Sequence, residues 1–282
     1  MSPPDRKRLV VHHDDIGANH ATNTAFVELF DLGICTSGSV MVPCPWFDET
    51  AAIMRERPDL DLGVHLTLNA EFPKYRWRPL TGVSNNGLTD ADGFMWRDVK
   101  SVRRHAQPEA VEAELRAQID TALAARIDVT HLDPHMGAAM TPEFLGIFLE
   151  LGEDYRLPVL LADDISSIAW GEKVRPETVP AYDAAVARGN PLFATYLSSP
   201  FHDTGDLSTE AVYRGILAQA KPGLNWGAFH FNPPGEIEHY SPDARMRIDE
   251  YELFRSGRAK ELIEEAGFEL VGMRGFRDAM RG

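Results

Sequence analysis

Short apolar, β-branched runs alternate along the chain with longer amphipathic stretches. The runs predict strands at 8–13, 36–42, 61–68, 127–132, 157–162, 192–197, 226–231 and 268–272. Helical periodicity between them predicts helices over 19–32, 47–56, 108–126, 141–153, 176–189, 207–221 and 243–266. The clearest is 108–126, opened by Pro108 and Glu109, with Val111, Leu115, Ile119 and Leu123 recurring every four residues. Strands separated by helices at this spacing make βαβ units and a parallel sheet. Seven or eight such units in 282 residues predict one α/β domain spanning 1–282, closed or nearly closed as a barrel. No internal repeat or low-complexity tract interrupts the pattern. The long irregular stretch is 70–107, where Asn85-Asn86-Gly87 and Asp90-Ala91-Asp92-Gly93 carry the turn chemistry of a hairpin loop.

Composition narrows the class. A hydrophobic fraction of 44% and a charged fraction of 25% belong to a globular chain, and no apolar run approaches the roughly 20 residues of a membrane span. The polar opening Met1-Ser2-Pro3-Pro4-Asp5-Arg6-Lys7-Arg8 has no signal-like apolar segment behind it. The two cysteines, Cys35 and Cys44, fit reduced, partly buried thiols better than a disulfide framework or a zinc cluster. A cytoplasmic location is therefore expected. The net charge of −15 argues against nucleic acid and anionic lipid as partners and fits a neutral or cationic small substrate. A homodimer is compatible with such a barrel.

The chemistry gathers where the apolar runs end. Leu9-Val10-Val11 leads to Asp14 and Asp15, and Leu62-Gly63-Val64 to His65. Val129-Thr130 leads to His131, Asp133 and His135, and Trp226-Gly227-Ala228-Phe229 to His230. Parallel barrels build their active sites from such C-terminal strand ends. Asp15, His65 and His135 together would make a two-histidine, one-carboxylate site for a divalent ion, with positions open for water and substrate. Adjacent Asp14 is placed to take a proton from water and His230 to donate one to a leaving group. Blander roles compete: Asp14 could cap the helix beginning near Asn19, and a strand histidine such as His65 could be a hydrogen-bonded core residue. His12 and His13 read as structural, and Asp163-Asp164 as a helix cap in preference to part of a substrate cleft.

In order along the chain, these segments resemble the YdjC-like carbohydrate deacetylases, which include chitooligosaccharide and hopanoid-biosynthesis deacetylases. The matching pieces are Asp14-Asp15-Ile16-Gly17, the Thr36 to Val42 segment and Gly63-Val64-His65-Leu66-Thr67-Leu68. The loop from Thr89 to Phe94 and the strand from Thr130 to His135 complete them. The resemblance implies a distorted (β/α) TIM-like barrel of the glycoside hydrolase/deacetylase type. It further implies a Mg²⁺- or Zn²⁺-dependent hydrolase that removes acetyl groups from N-acetylated sugars. By position, Asp15, His65 and His135 would hold the metal, Asp14 would be the base and His230 the acid. Three features depart from the family pattern: His12-His13 replaces Asn-Ala, Gly137 stands where another histidine is frequent, and His-Pro-Gly becomes His230-Phe231-Asn232-Pro233-Pro234-Gly235.

Other readings remain. His131-x-Asp133 with His230 would serve a non-haem iron oxygenase, although such enzymes favour antiparallel double sheets. A phosphoesterase would need basic groups for phosphate, and none flanks these motifs. A sugar-binding homologue with altered catalysis would have no need of the base beside the ligand.

Overall fold

The computed structural model describes residues 6–82, 86–164, 174–202 and 204–282. The long run from Lys7 to Ile16 forms the central strand, β1, buried from Leu9 onward. Its burial on both faces is what a parallel sheet under helices requires, and explains the near-continuous apolar sequence. The strands that follow are β2 (Ser37–Val40), β3 (Leu62–Leu66), β4 (Leu132–Pro134), β5 (Leu161–Ala162), β6 (Leu192–Phe193), β7 (Thr195–Ser198), β8 (Gly223–Phe229) and β9 (Phe268–Leu270).

Among the described residues, the nine strands pair only in parallel. The main sheet runs β4-β3-β2-β1-β8-β7, with β5 and β6 as a separate pair. Single contacts join the two: Leu132 bridges Val159 before β5, and the Ala194 N–H between β6 and β7 donates to Leu224 of β8 at 2.7 Å. The result is a curled, distorted (β/α) barrel whose strand ends converge at one rim.

Three predicted elements differ in the structure. The last strand is not a ring member: β9 pairs with β1 at Lys7–Leu9, on an edge that β2 reaches only from His12 onward. The expected helix 243–266 is two helices, Ala244–Arg255 and Arg258–Glu265, broken by Gly257 at φ +83°. The predicted strand 127–132 is regular only from Leu132, although the Thr130 N–H still bonds Leu62 O at 2.9 Å. Further helices, Val99–His105 and Arg274–Arg281, lie outside those the periodicity marked.

Helix Pro108–Ala124 shows how local sequence positions the site. Val111, Leu115 and Ile119 are buried as expected, while Leu123 is exposed. Its buried polar residues tie down the chain after β3. Gln118 bonds both the N–H and the carbonyl of Thr67, and Glu114 accepts from the N–H groups of Leu80 and Thr81. The loop beyond contains a tight hairpin, with Thr89 bridged antiparallel to Met95 and the Asp90 N–H bonded to Phe94 O at 2.8 Å. Asn85, in the other expected turn, lies outside the described residues.

Candidate metal centre

β1 runs past its predicted end at residue 13 and carries both acidic residues within it. Side chains of neighbouring strand residues ordinarily face opposite ways. Here the β1–β2 register slips between His13 and Ile16, and Asp15 sits in the left-handed region at φ +62°. That conformation costs a non-glycine residue about 1–3 kcal/mol and is held only where the surroundings fix it. Its effect is to turn Asp14 and Asp15 into the same cavity, of about 470 Å³, which His135 and His230 also line. The helix-cap role falls instead to Asn19, whose side chain accepts from Thr22 N in a capping box.

Asp15 Oδ1 lies 3.2 Å from His135 Nδ1 and 3.5 Å from His65 Nε2. A tetrahedral ion with bonds near 2.1 Å spaces its ligands about 3.4 Å apart. Asp15 Oδ1 is buried and has no hydrogen-bond partner, a costly state that an ion would relieve. The outer atoms of these residues are all engaged. Arg247 holds Asp15 Oδ2 at 2.5 Å, Asp133 holds His65 Nδ1 at 2.7 Å, and Glu71 holds His135 Nε2 at 2.9 Å. Carboxylates behind both imidazoles leave His65 Nε2 and His135 Nδ1 as the atoms facing Asp15, the arrangement of oriented metal ligands. The three residues therefore fit a divalent ion.

Charge also ties these groups to one another. Burial opposes ionisation of Asp15, but Arg247, then His135 and His65, hold its carboxyl well below the usual range. Burial would lower His135, yet Glu71 and Asp15 raise it to about 9. Asp14 is pushed up by burial, against its bond to His12. Its Oδ1 lies 2.6 Å from His12 Nδ1 and its Oδ2 3.7 Å from His230 Nε2. His230, the first residue beyond β8, is held well below its ordinary value by burial and by Arg247.

His131 and Asp133 serve elsewhere. His131 Nε2 meets His12 Nε2 at 2.9 Å and its Nδ1 meets Thr130 Oγ1, while Asp133 backs His65. Among the described residues, neither ligand cluster that contains Asp133 includes His230, so the iron triad is not assembled. His13 is a core residue, its Nε2 on Thr22 O and its ring against Phe231. His12, read as structural in preference to a site contact, touches the site through Asp14. Asp163 and Asp164 line a second cavity of about 390 Å³ beside Gly137 and Tyr196, and the helix they were expected to cap would begin outside the described residues. Arg247 and Glu71 also escaped the sequence reading. Glu71 had one signal, its place in the long loop after the His65 strand.

Residues 8–265 match the family described as YdjC-like protein. The chain belongs to that family. A relative from Thermus thermophilus, named carbohydrate deacetylase, is 40% identical over 278 residues, covering 98% of this chain and 96% of the relative. A Brevibacillus brevis protein of the same name is 35% identical over 152 residues, covering 54% of this chain and 58% of its own length. The fold matches a crystal structure from Enterococcus faecalis V583 of a protein named for cellobiose-phosphate cleavage. That match has a TM-score of 0.74 and 23% identity over 96% of this chain and 98% of the other. Among the described residues no helix is long and apolar enough to cross a membrane.

Proposed function

We propose that this YdjC-like protein is a metal-dependent hydrolase that removes an acetyl group from an N-acetylated sugar or oligosaccharide. The observation that carries the reading is the partnerless Asp15 Oδ1 facing His65 Nε2 and His135 Nδ1, with Asp14 and His230 across the same cavity. The relatives named carbohydrate deacetylase supply the substrate class. Asp15, His65 and His135 would hold Zn²⁺ or Mg²⁺, two imidazoles favouring Zn²⁺ by ligand softness. Bound there, the ion would polarise the acetyl carbonyl and acidify water.

The remaining steps belong to the protein's own groups. Asp14, whose buried carboxyl binds a proton more readily than an exposed one, takes the proton of the attacking water. His230, whose Nε2 lies 3.7 Å from Asp14 Oδ2, is the donor to the departing nitrogen, and its low proton affinity makes the imidazolium a ready acid. Arg247 keeps Asp15 ionised and turned towards the histidines. The oxygenase alternative loses its support because His131 and Asp133 are bonded to His12 and His65. A binding-only homologue would not require Asp14 beside the ligand set.

Acetate release from N-acetylglucosamine oligomers, with Zn²⁺ or Mg²⁺ added, tests the reading. Asp14→Asn should lose about 10²–10⁴-fold in kcat while retaining metal, and His65→Ala should lose both metal and activity. A folded, metal-loaded protein that releases no acetate from such a panel overturns the substrate assignment. Full activity in Asp14→Asn overturns the base.

A further inference from the structure

Behind His230 lies a buried polar group that the reaction above does not use. Ser199 follows β7, and its Oγ is 2.8 Å from His230 Nδ1. The same hydroxyl lies 2.8 and 3.1 Å from the two carboxylate oxygens of Glu250 on helix Ala244–Arg255. Glu250 is fully buried and also accepts from the Tyr213 hydroxyl and, at 2.5 Å, from the His230 backbone N–H. A carboxylate placed this deep is costly unless donors surround it, and here three donors converge.

Above about pH 7, where Glu250 is ionised, the polarity of this chain of bonds is determined. An ionised carboxylate only accepts, so the single Ser199 proton points to Glu250. The Ser199 oxygen is then an acceptor, and His230 Nδ1 must supply the proton between them. In a neutral imidazole that leaves the lone pair on Nε2, the atom 3.7 Å from Asp14 Oδ2. We propose that Ser199 and Glu250 are positioning residues that hold His230 as its Nδ1–H tautomer, making Nε2 the atom that carries protons in the cavity. Its catalytic consequence rests on the deacetylase reading. In that reaction Asp14 takes a proton from water and passes it to Nε2. The resulting imidazolium gives it to the leaving nitrogen as the bond to the acyl carbon breaks. The opposite tautomer would block Nε2 with its own hydrogen and misdirect the lone pair, as a misoriented imidazole does in a catalytic triad.

Two measurements test this. Histidine ¹⁵N NMR at about pH 8, where Glu250 is ionised, should show His230 protonated at Nδ1, the signal being assigned by its loss in His230→Ala. Ser199→Ala and Glu250→Gln should give a tautomer mixture. An Nε2–H signal in the wild type, or an unchanged tautomer in Ser199→Ala, overturns the proposal. In acetate release, Ser199→Ala should lower kcat about 10–100-fold with KM little changed, comparable to losing the partner behind an oriented imidazole. It should cost little more when His230 is already alanine. An equal loss in both backgrounds would show that Ser199 acts structurally. Should Glu250→Gln fail to fold, Ser199→Ala decides alone. If the wild type releases no acetate, the deacetylase reading fails while the spectra still decide the tautomer.

Discussion

At the residue scale, two features that set the site's chemistry are costly in isolation and stable only together. The left-handed Asp15 is strained, and its Oδ1 is unpartnered, yet Arg247 and two histidines surround it. Glu250 is the comparable case behind His230. Burial, opposed by bonds from Tyr213, the His230 N–H and Ser199, raises its pKa from 4.5 to about 7. The folded protein thus holds this proton more tightly than the unfolded chain does. The associated stability is fully present below about pH 4.5 and is lost as pH rises through about 7. A shift of this size corresponds to about 3 kcal/mol. Denaturation at a series of pH values should show the wild type losing stability relative to Glu250→Gln across that window. Parallel curves for the two proteins would show that Glu250 does not titrate there.

At the scale of elements, the Gly63-Val64-His65 motif has a steric explanation. A Cβ on Gly63 would lie 2.6 Å from the His131 backbone oxygen and 2.5 Å from its ring, so β3 can approach the segment entering β4 only with glycine at this point. Gly63→Ala should force the two apart, costing about 1–3 kcal/mol as overpacking does. It should also weaken metal binding, because His65 is two residues further along the same strand. Thermal melts and bound-metal analysis would check this, and a variant that keeps both stability and metal would contradict it. The strand ends were legible because a carboxylate or imidazole closing an apolar run stands out against its neighbours. Arg247 and Glu250 were not, because they sit in Ala-Arg-Met-Arg-Ile-Asp-Glu-Tyr-Glu-Leu-Phe-Arg, whose charges resemble a solvated helix face. Only the packing of that helix over the cavity buries them. Ser199 carried no signal, since its role depends on two partners 31 and 51 residues away. The ring itself followed from the strand–helix alternation, but β9 did not. An apolar run predicts a strand without saying which edge remains free to receive it.

At the scale of the whole molecule, the candidate ligands tie together distant parts of the chain. Asp15 comes from β1, His65 from β3 and His135 from the turn just after β4, so an ion among them would link three strands at the open rim of the barrel. The metal-free site concentrates carboxylates, with Asp14, Asp15, Asp133 and Glu71 close together in a chain already at −15. Positive charge placed there should stabilise the folded state both by bridging strands and by offsetting that repulsion. For an ion binding only the folded protein, a concentration one hundred times Kd contributes about 2.7 kcal/mol. For a domain of this size that is a rise in Tm of about 5 °C. Melting after exhaustive chelation should therefore fall below melting in Zn²⁺ or Mg²⁺ by that amount. The response should vanish in Asp15→Asn and His65→Ala but persist in Asp14→Asn, whose carboxylate is assigned to proton transfer. A Tm indifferent to metal and chelator would remove the ion from the site, whereas equal sensitivity in Asp14→Asn and His65→Ala would redraw the division of labour between the two adjacent aspartates.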